Sequence, residues 1–250
     1  MDNFGVPIGE EQRQPPPPPL ASTSQNITPS GSIVVRLRYL NIWNGLNAVG
    51  HEMVVDNTGR ELLPKLQYKV EGLDPNKMYT MHVHFDRTNR GLMRFENGVW
   101  NQMVEPVKDV PEQTNVIALG TESGADWLRN GVNVNKLRIF NAPYRGVKVS
   151  KEVLEQDAVK VAEKKVDKIN VTPRCRYVPV LKIFELVGAH NIFRHTAKFD
   201  EATFVAVKEY KNDKMKTMKL SRDIYRAMAD ELAKERRQAV RQSARERGHR

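Results

Sequence analysis

The most constraining feature of the sequence is a strict alternation from Tyr79 to Asp86, where apolar and polar side chains follow one another residue by residue. Successive side chains of a β-strand point to opposite faces, so a period of two predicts a strand. We expect one face to lie in the core and the other to be exposed. The apolar face holds Tyr79, Met81, Val83 and Phe85, and the polar face holds Thr80, His82, His84 and Asp86.

Short β-rich runs recur along the chain and are separated by turn residues. The other predicted strands are 32–39 (SIVVRLRY), 52–56 (EMVVD), 66–70 (LQYKV), Val116–Leu119, Lys136–Phe140, Val178–Val187, Thr203–Glu209 and Met215–Leu220. Turns are predicted at 56–59, 72–76, 96–98 and 129–131. Many short strands at this spacing indicate an all-β sandwich or barrel.

Two segments break the β pattern. Residues from about Ser150 to Lys168 are charged, lack Gly and Pro, and place apolar residues near helical spacing, which predicts a surface helix inserted between strands. The segment from Arg222 to about Arg247 is helix-forming and becomes strongly basic. Such a segment could hold phosphates, serve as a nuclear import signal, or simply be a solvated basic helix.

The ends of the chain suggest a domain flanked by tails. Residues 1–31 are rich in Pro, Gln and Ser, with prolines at every position from Pro15 to Pro19, and are predicted to be a disordered or polyproline tail. This tail is either simply solvated or a ligand for a proline-binding domain. Residues 32–230 are predicted to form the domain, with an inserted helix at about 150–168, and residues 231–250 a basic tail.

The charge balance favours a polyanionic partner. The chain has 250 residues and a net charge of +10, so nucleic acid and an anionic membrane surface are both compatible with it. No apolar run approaches the length of a membrane span, and the single cysteine excludes an internal disulfide framework and a cysteine-based zinc site. A soluble intracellular protein without membrane attachment is therefore expected.

No pattern in the sequence points to catalysis. His82 and His84 have a spacing that can chelate a metal, but no third ligand lies close in sequence. Cys175 has arginines on both sides without the signature of a nucleophile. Phosphate-cradling glycine loops and nucleophile-elbow motifs are absent. We therefore expect no metal, no cofactor, no small-molecule substrate and no enzymatic activity.

Four ordered blocks resemble the T-box family of transcription factors. They are EMVVDNTGRELLP with LQYKVEGLDPNKMY (52–79), ESGADWL with VNVNKLRIFN (122–141), PRCRYVPVLKIFEL (173–186) and TFVAVKEYKNDKMKTMKL (203–220). Together they cover about residues 34–229. The resemblance implies an immunoglobulin-like β-sandwich of the p53/Rel-like type, with short C-terminal helices, that binds double-stranded DNA. It also implies a transcription regulator in the nucleus, acting as a monomer or as a homodimer on paired half-sites.

The resemblance also implies roles for individual residues. Arg60 corresponds to the arginine that reads a guanine in the major groove. Tyr210 and Asn212 correspond to a Tyr-x-Asn pair, in which the tyrosine either donates to a phosphate or caps the core. The basic positions near the phosphate backbone are Lys136, Arg138 and Arg176.

The family's minor-groove helix reads DIYRAMA here, from Asp223 to Ala229. Tyr225 takes the first aromatic position and Arg226 adds a cation suited to a narrow groove. Ile224 replaces a proline, and Ala229 stands where a second phenylalanine is expected, so an altered minor-groove contact is predicted.

Two further departures from the family pattern bear on function. Glu61 replaces a second arginine and either pairs with Arg60 or alters base preference. The inserted helix at about 150–168 is an addition that either forms a partner surface or has no role. The alternative interpretation of the chain is a β-sandwich interaction module that binds RNA or acidic protein after loss of specific DNA contacts.

Overall fold

A computed structural model describes residues 32–142 and 167–247 of the chain. The strands are β1 (Val34–Leu37), β2 (Glu52–Val54), β3 (Arg60–Glu61), β4 (Gln67–Glu71), β5 (Met78–Arg87), β6 (Gly91–Glu96), β7 (Val99–Pro106), β8 (Ile117–Ser123), β9 (Val132–Asn133), β10 (Leu137–Asn141), β11 (Asp167–Val171), β12 (Arg176–Val187), β13 (His190–Lys198) and β14 (Phe204–Val207). The helices are α1 (Leu40–Asn47), α2 (Gly124–Asn130), α3 (Asp213–Leu220) and α4 (Arg222–Arg247), with a 3₁₀ turn at Asp200–Ala202.

The strands form one large sheet and three smaller ones. The large sheet has the order β2-β14-β12-β5-β8, and β13 pairs with the second half of β12. Two three-stranded sheets have the orders β1-β4-β9 and β11-β10-β3. Strands β6 and β7 form a separate hairpin, whose turn at Asn97 and Gly98 has positive φ at both residues, as a two-residue hairpin turn requires.

The core lies between the large sheet and the two three-stranded sheets. Met81 and Val83 of β5 are fully buried in one cluster with Val70 of β4, Ile139 of β10 and Ile169 of β11. Burying the apolar faces of both layers removes their surface from water, which is the main force that holds such layers together. The predicted immunoglobulin-like β-sandwich is confirmed.

The structure confirms the predicted buried face of β5 and corrects the prediction that the polar face is exposed. All four apolar residues are buried, but His84 and Thr80 on the polar face are buried too. Strand β5 lies inside the sheet, between β12 and β8, so neighbouring side chains cover its second face. Thr80 Oγ1 lies 2.7 Å from Thr121 Oγ1 on β8, and His84 Nε2 lies 3.2 Å from the Asp86 carboxylate.

The predicted strand Met215–Leu220 is wrong, because these residues belong to helix α3. Met215 and Lys219 are four residues apart and both are buried, as expected for one face of a helix. The predicted turn at 129–131 is the end of helix α2, where Gly131 follows the last helical residue at φ 65°. The sequence interpretation also missed α1, α2, β13 and the strands of the β6–β7 hairpin.

The predicted C-terminal helix is confirmed as α4, which runs from Arg222 to Arg247 and crosses position 230 without interruption. The predicted tail at 1–31 lies outside the described residues, as does the predicted inserted helix at 150–166. Asp167 and Lys168, which that helix was expected to include, begin strand β11 instead and pair in parallel with β10. Within the described segments, no helix is both long and apolar enough to span a bilayer.

Candidate nucleic-acid interface

A tight turn from Asp56 to Gly59 sets the position of Arg60. One Asp56 carboxylate oxygen accepts hydrogen bonds from the Thr58 N–H, the Thr58 hydroxyl and the Gly59 N–H, each at 2.9 Å. The other oxygen accepts from Arg60 Nε at 2.5 Å. Partial burial favours protonation of this carboxyl, but hydrogen bonds from Thr58 and Arg60 outweigh it and lower the pKa of Asp56. Arg60 is therefore held along one edge while its side chain stays 59% exposed.

Gly59 is required for this turn. Its φ of 84° lies in the left-handed region, and a Cβ at this position would collide with the ring of Phe140. The glycine thus brings the turn against strand β10, next to the chain segment that carries the predicted phosphate contacts.

Strand pairing decides the partner of Glu61. In the pairing of β3 with β10, Arg138 lies opposite Glu61, and Arg138 Nη2 donates to Glu61 Oε1 at 2.9 Å. Glu61 therefore pairs with Arg138 rather than with Arg60. Arg138 is only partly exposed, whereas Lys136, immediately before β10, is exposed.

Three of the predicted site residues meet in one cleft of about 550 Å³, which we call the Arg60 cleft. Arg60, Tyr210 and Tyr225 line it, although they come from distant parts of the sequence. Its cationic lining residues are Arg60, Lys65, Lys208 and Lys216, its acidic ones are Glu61 and Glu209, and the buried Lys219 also lines it. The cleft is therefore a concave surface with an excess of positive charge, which suits a polyanion.

Tyr210 and Asn212 are integrated into the fold at the start of α3. Asn212 is buried, its side-chain oxygen accepts from Lys214 N at 3.0 Å, and its Nδ2 donates to the Val49 carbonyl at 2.6 Å. An asparagine at this position is a preferred N-cap, because it satisfies a helical N–H that has no partner in the helix. Tyr210 packs against a small apolar cluster that includes Met215, and burial raises the pKa of its hydroxyl.

Helix α4 presents opposite faces to the core and to solvent. Ile224 and Met228 are buried, whereas Tyr225 is 57% exposed and Arg226 and Ala229 are exposed. Ile224, which replaces the proline of the family motif, thus anchors the helix, and Tyr225 is free to contact a ligand. Arg226 makes only an exposed ion pair at 3.4 Å with Asp223, which contributes little to stability.

A buried polar cluster connects α3 to strand β2. The Glu52 carboxylate accepts hydrogen bonds from Trp100 Nε1, Lys211 N and Asn212 N at 3.1, 2.9 and 3.1 Å. The Lys219 amine lies 2.8 Å from His51 Nε2 and donates to the Leu63 carbonyl.

The pKa values of this cluster reflect its burial. Desolvation lowers the pKa of Lys219 to about 7, and it raises the pKa of the Glu52 carboxyl. These groups were not identified from the sequence as important for the site. Their role is to hold α3 in place beside the Arg60 cleft.

Arg176 lies apart from the Arg60 cleft. It lines a second cleft of about 740 Å³ together with the end of α1, the β6–β7 hairpin and the start of α3. The two clefts have no lining residue in common. Arg176 is half-buried, and burial lowers the pKa of its guanidinium.

The remaining candidate residues have no site-like surroundings. The ring of His82 lies 4.9 Å from the ring of Phe184 in a tilted arrangement, and burial lowers the pKa values of His82 and His84. No cluster of three or more His, Cys, Asp or Glu side chains suited to a metal occurs in the described ranges. Cys175 is fully buried, and burial raises its pKa, so its thiol is not activated.

Sequence reasoning missed the lysines of the Arg60 cleft. Lys65 follows the Leu-Leu-Pro stop, Lys208 follows β14, and Lys216 belongs to α3. A signal for Lys216 was present, because Asn212 is a good helix N-cap and Lys216 and Lys219 follow it at a helical spacing of three. For Lys65 and Lys208, only the tertiary fold reveals their proximity.

An immunoglobulin-like sandwich that carries a cationic cleft, formed by a turn and the C-terminal helices, has the features of a β-sandwich DNA-binding domain. Comparison with known proteins then identifies the family. The T-box family model matches residues 35–228. The chain therefore belongs to the T-box family, as the sequence resemblance predicted.

Individual relatives agree with this assignment. T-box transcription factor 18 of Caenorhabditis elegans is 31% identical over 199 residues, which is 78% of this chain and 51% of that protein. Putative T-box protein 11 of the same species is 29% identical over 184 residues, covering 74% and 51%. T-box transcription factor T homolog 1 of Branchiostoma floridae is 28% identical over 182 residues, covering 72% and 36%. The chain thus spans about half or less of these relatives' lengths.

Proposed function

We propose that this protein is a sequence-specific, double-stranded DNA-binding transcription regulator that acts in the nucleus and has no catalytic activity. The observation that carries the proposal is the meeting in one cationic cleft of Arg60, Tyr210 and Tyr225, which the sequence resemblance matches to DNA-contacting positions of the family. Relatives of the chain bear the name of transcription factors, which supports the same function. Monomeric binding and a homodimer on paired half-sites are both compatible with this proposal.

Arg60 is the proposed major-groove reader. Its Nε is bonded to Asp56, so the two terminal nitrogens are left to donate to guanine O6 and N7. A side chain that is already held pays less conformational entropy when it binds. Because Glu61 bonds to Arg138, its negative charge is partly neutralised beside the reader.

Phosphate contacts supply affinity without sequence information. Lys136, being exposed, is the best placed of the predicted contacts, and the cleft lysines Lys65, Lys208 and Lys216 join it in this proposal. Arg138 combines a role in orienting Glu61 with a contact to phosphate. Arg176, in the second cleft, is retained as a more distant phosphate contact.

The proposed minor-groove element is the first turn of α4. Tyr225 acts as a single aromatic wedge and Arg226 as the accompanying cation, while Ala229 leaves the second wedge position empty of an aromatic ring. Tyr210 contributes a hydroxyl at the cleft. Asn212 acts by starting α3, because its side chain is buried and both its oxygen and its nitrogen bond to the protein backbone.

The decisive experiment is a gel-shift salt titration with a T-box half-site duplex and a scrambled duplex of equal length. The proposed function predicts roughly a thousandfold or greater preference for the half-site, as is usual for specific DNA-binding proteins. Equal affinity for both duplexes would instead favour the interaction module that binds RNA or acidic protein. Selection of sites from random duplexes would then reveal any change in target caused by Glu61 and Ala229.

Arg60→Ala tests base reading against phosphate contact. We expect a loss of about 1–3 kcal/mol on the half-site and relaxed discrimination at one base pair. The matched control is Lys136→Ala, which should weaken all duplexes alike and lower the salt slope by about one unit. Both variants are measured by salt titration on half-sites with each base pair changed in turn. If Arg60→Ala weakens every duplex equally, the major-groove assignment is wrong.

A further inference from the structure

Among the side chains that the structure describes, the contacts that attach helix α4 to the domain lie between Ile224 and Glu235. Met228 is buried in the main core, and Glu231 Oε1 accepts a hydrogen bond from Tyr39 N at 2.9 Å. Glu235 forms an ion pair with Arg38 at 3.5 Å. These contacts fix the rotation of the helix about its axis, and therefore the direction of the residues that follow immediately after Glu235.

Two arginines come directly after this last anchor. Arg236 and Arg237 are exposed, and neither has a carboxylate within 4 Å among the side chains that the structure describes. Unpaired cations on a fixed helix favour anion binding, because little backbone ordering remains to be paid on binding.

Helical periodicity aligns this pair with the proposed minor-groove wedge. Arg236 follows Tyr225 by eleven residues, and Arg237 follows Arg226 by the same interval. Eleven residues make just over three full turns, so each arginine lies on the same face as its counterpart, about 16 Å further along the axis. Between them on this face lie Ala229, which is exposed, and Ala233, which is partly exposed, and both are small.

The distribution of acidic residues distinguishes this face from the rest of α4. At 100° per residue, Asp223 and Asp230 lie near Lys234 and Arg241, a quarter turn or more away from the Arg236 direction. Glu231 and Glu235 point to the core side, as their contacts with Tyr39 and Arg38 require. The stripe around Tyr225 and Arg236 therefore has no carboxylate of its own among residues 222–241, whereas Arg237, like Arg226, lies beside Asp223 and Asp230.

We propose that Arg236 and Arg237 bind phosphates of the same DNA duplex whose minor groove receives Tyr225. This inference rests on the proposed function. Duplex DNA carries one negative charge per about 1.7 Å of axis, so phosphates are always available about 16 Å from the wedge. The contact reads no bases, and it offsets the affinity lost with the second aromatic wedge at Ala229. It also lengthens the footprint of the domain on one side of its site.

The experiment compares two double variants that remove equal charge from α4, and only the first removes the cation that lies in line with Tyr225. Arg236→Gln with Arg237→Gln changes the proposed contact, and Lys234→Gln with Arg241→Gln is the matched control. Salt titrations use two half-site duplexes. One has long flanks, and the other is shortened on the flank next to the minor groove that receives Tyr225. The first variant should lower the salt slope by about 1.8, that is, two contacts at roughly 0.9 each, while the control changes it by clearly less. Equal helix content by circular dichroism confirms that all forms are folded.

The dependence of DNA affinity on flank length provides a second readout. Trimming the flank should lower the affinity of the unmodified chain to the level of the first variant and leave that variant's affinity unchanged. An unchanged slope, or an equal fall for both variants, with discrimination of the half-site intact, overturns the phosphate contact alone. Failure of the unmodified chain to discriminate half-site from scrambled DNA overturns both this inference and the proposed function.

Discussion

Glu52→Ala is expected to lower the free energy of unfolding by about 3–5 kcal/mol, measured by urea denaturation. The Glu52 carboxylate is fully buried and accepts from Trp100 Nε1 and from the backbone N–H groups of Lys211 and Asn212. Alanine leaves these three donors without an acceptor, and each buried unsatisfied donor costs about 1–3 kcal/mol.

Glu52→Ala also removes a buried charge, which has a smaller and opposite effect on stability. Burial raises the pKa of the Glu52 carboxyl, which shows that its charge is partly desolvated, and alanine would relieve that cost. The loss of the shared acceptor dominates because three donors depend on it. The matched control is Glu61→Ala, which removes an exposed ion pair with Arg138 and should cost no more than about 1 kcal/mol. Similar losses in both variants would contradict the role of Glu52 as the acceptor that fixes the start of α3.

Lys219→Met is expected to abolish a pH dependence of folding stability. Burial lowers the pKa of Lys219 from 10.5 to about 7, and Glu52 opposes this only in part. Between about pH 7 and pH 10.5 the folded chain holds a neutral amine while the unfolded chain binds the proton. The unfolded state therefore binds more protons, and this contribution to stability rises with pH through the window. Below about pH 7 both states are protonated, and the contribution is constant.

The rise from Lys219 is on the order of 5 kcal/mol across the whole window, because each pKa unit corresponds to about 1.4 kcal/mol. Urea unfolding of the wild type and the variant at several pH values measures it as a difference, so the titration of other groups cancels. The control Lys216→Met removes an equal charge from the exposed face of the same helix and should keep the pH slope of the wild type. If Lys219→Met keeps that slope as well, the buried amine is not neutral.

The sandwich could be predicted because each strand has a local pattern of apolar residues that is visible in the sequence. The alternation from Tyr79 to Phe85 gave the core face of β5, since side-chain direction follows from the strand geometry alone. The burial of His84 depends on which strands lie on either side of β5, and sequence periodicity does not contain strand order. The buried residues Met215 and Lys219 are four positions apart, which fits both a strand with a period of two and a helix. The segment is a helix because the Asn212 side chain caps its N-terminus.

The site could be predicted only in part, for a related reason. Resemblance identified Arg60, Tyr210 and Tyr225, and the structure brings them into one cleft. The partner of Glu61 depends on the register of β3 with β10, and long-range registers are not encoded by local spacing. Resemblance gives the position of a residue but not its role, so the part that the buried Asn212 side chain plays in starting α3 became clear only from its contacts.

The turn that holds Arg60 bears on how inherited variation in such a chain would be interpreted. Asp56 and Gly59 contact no base in the proposed arrangement, yet one bonds the guanidinium and the other lets the turn approach Phe140. Alleles that alter either residue would therefore resemble loss of the arginine itself. A survey that scored only positions touching DNA would classify both as neutral and would overlook them.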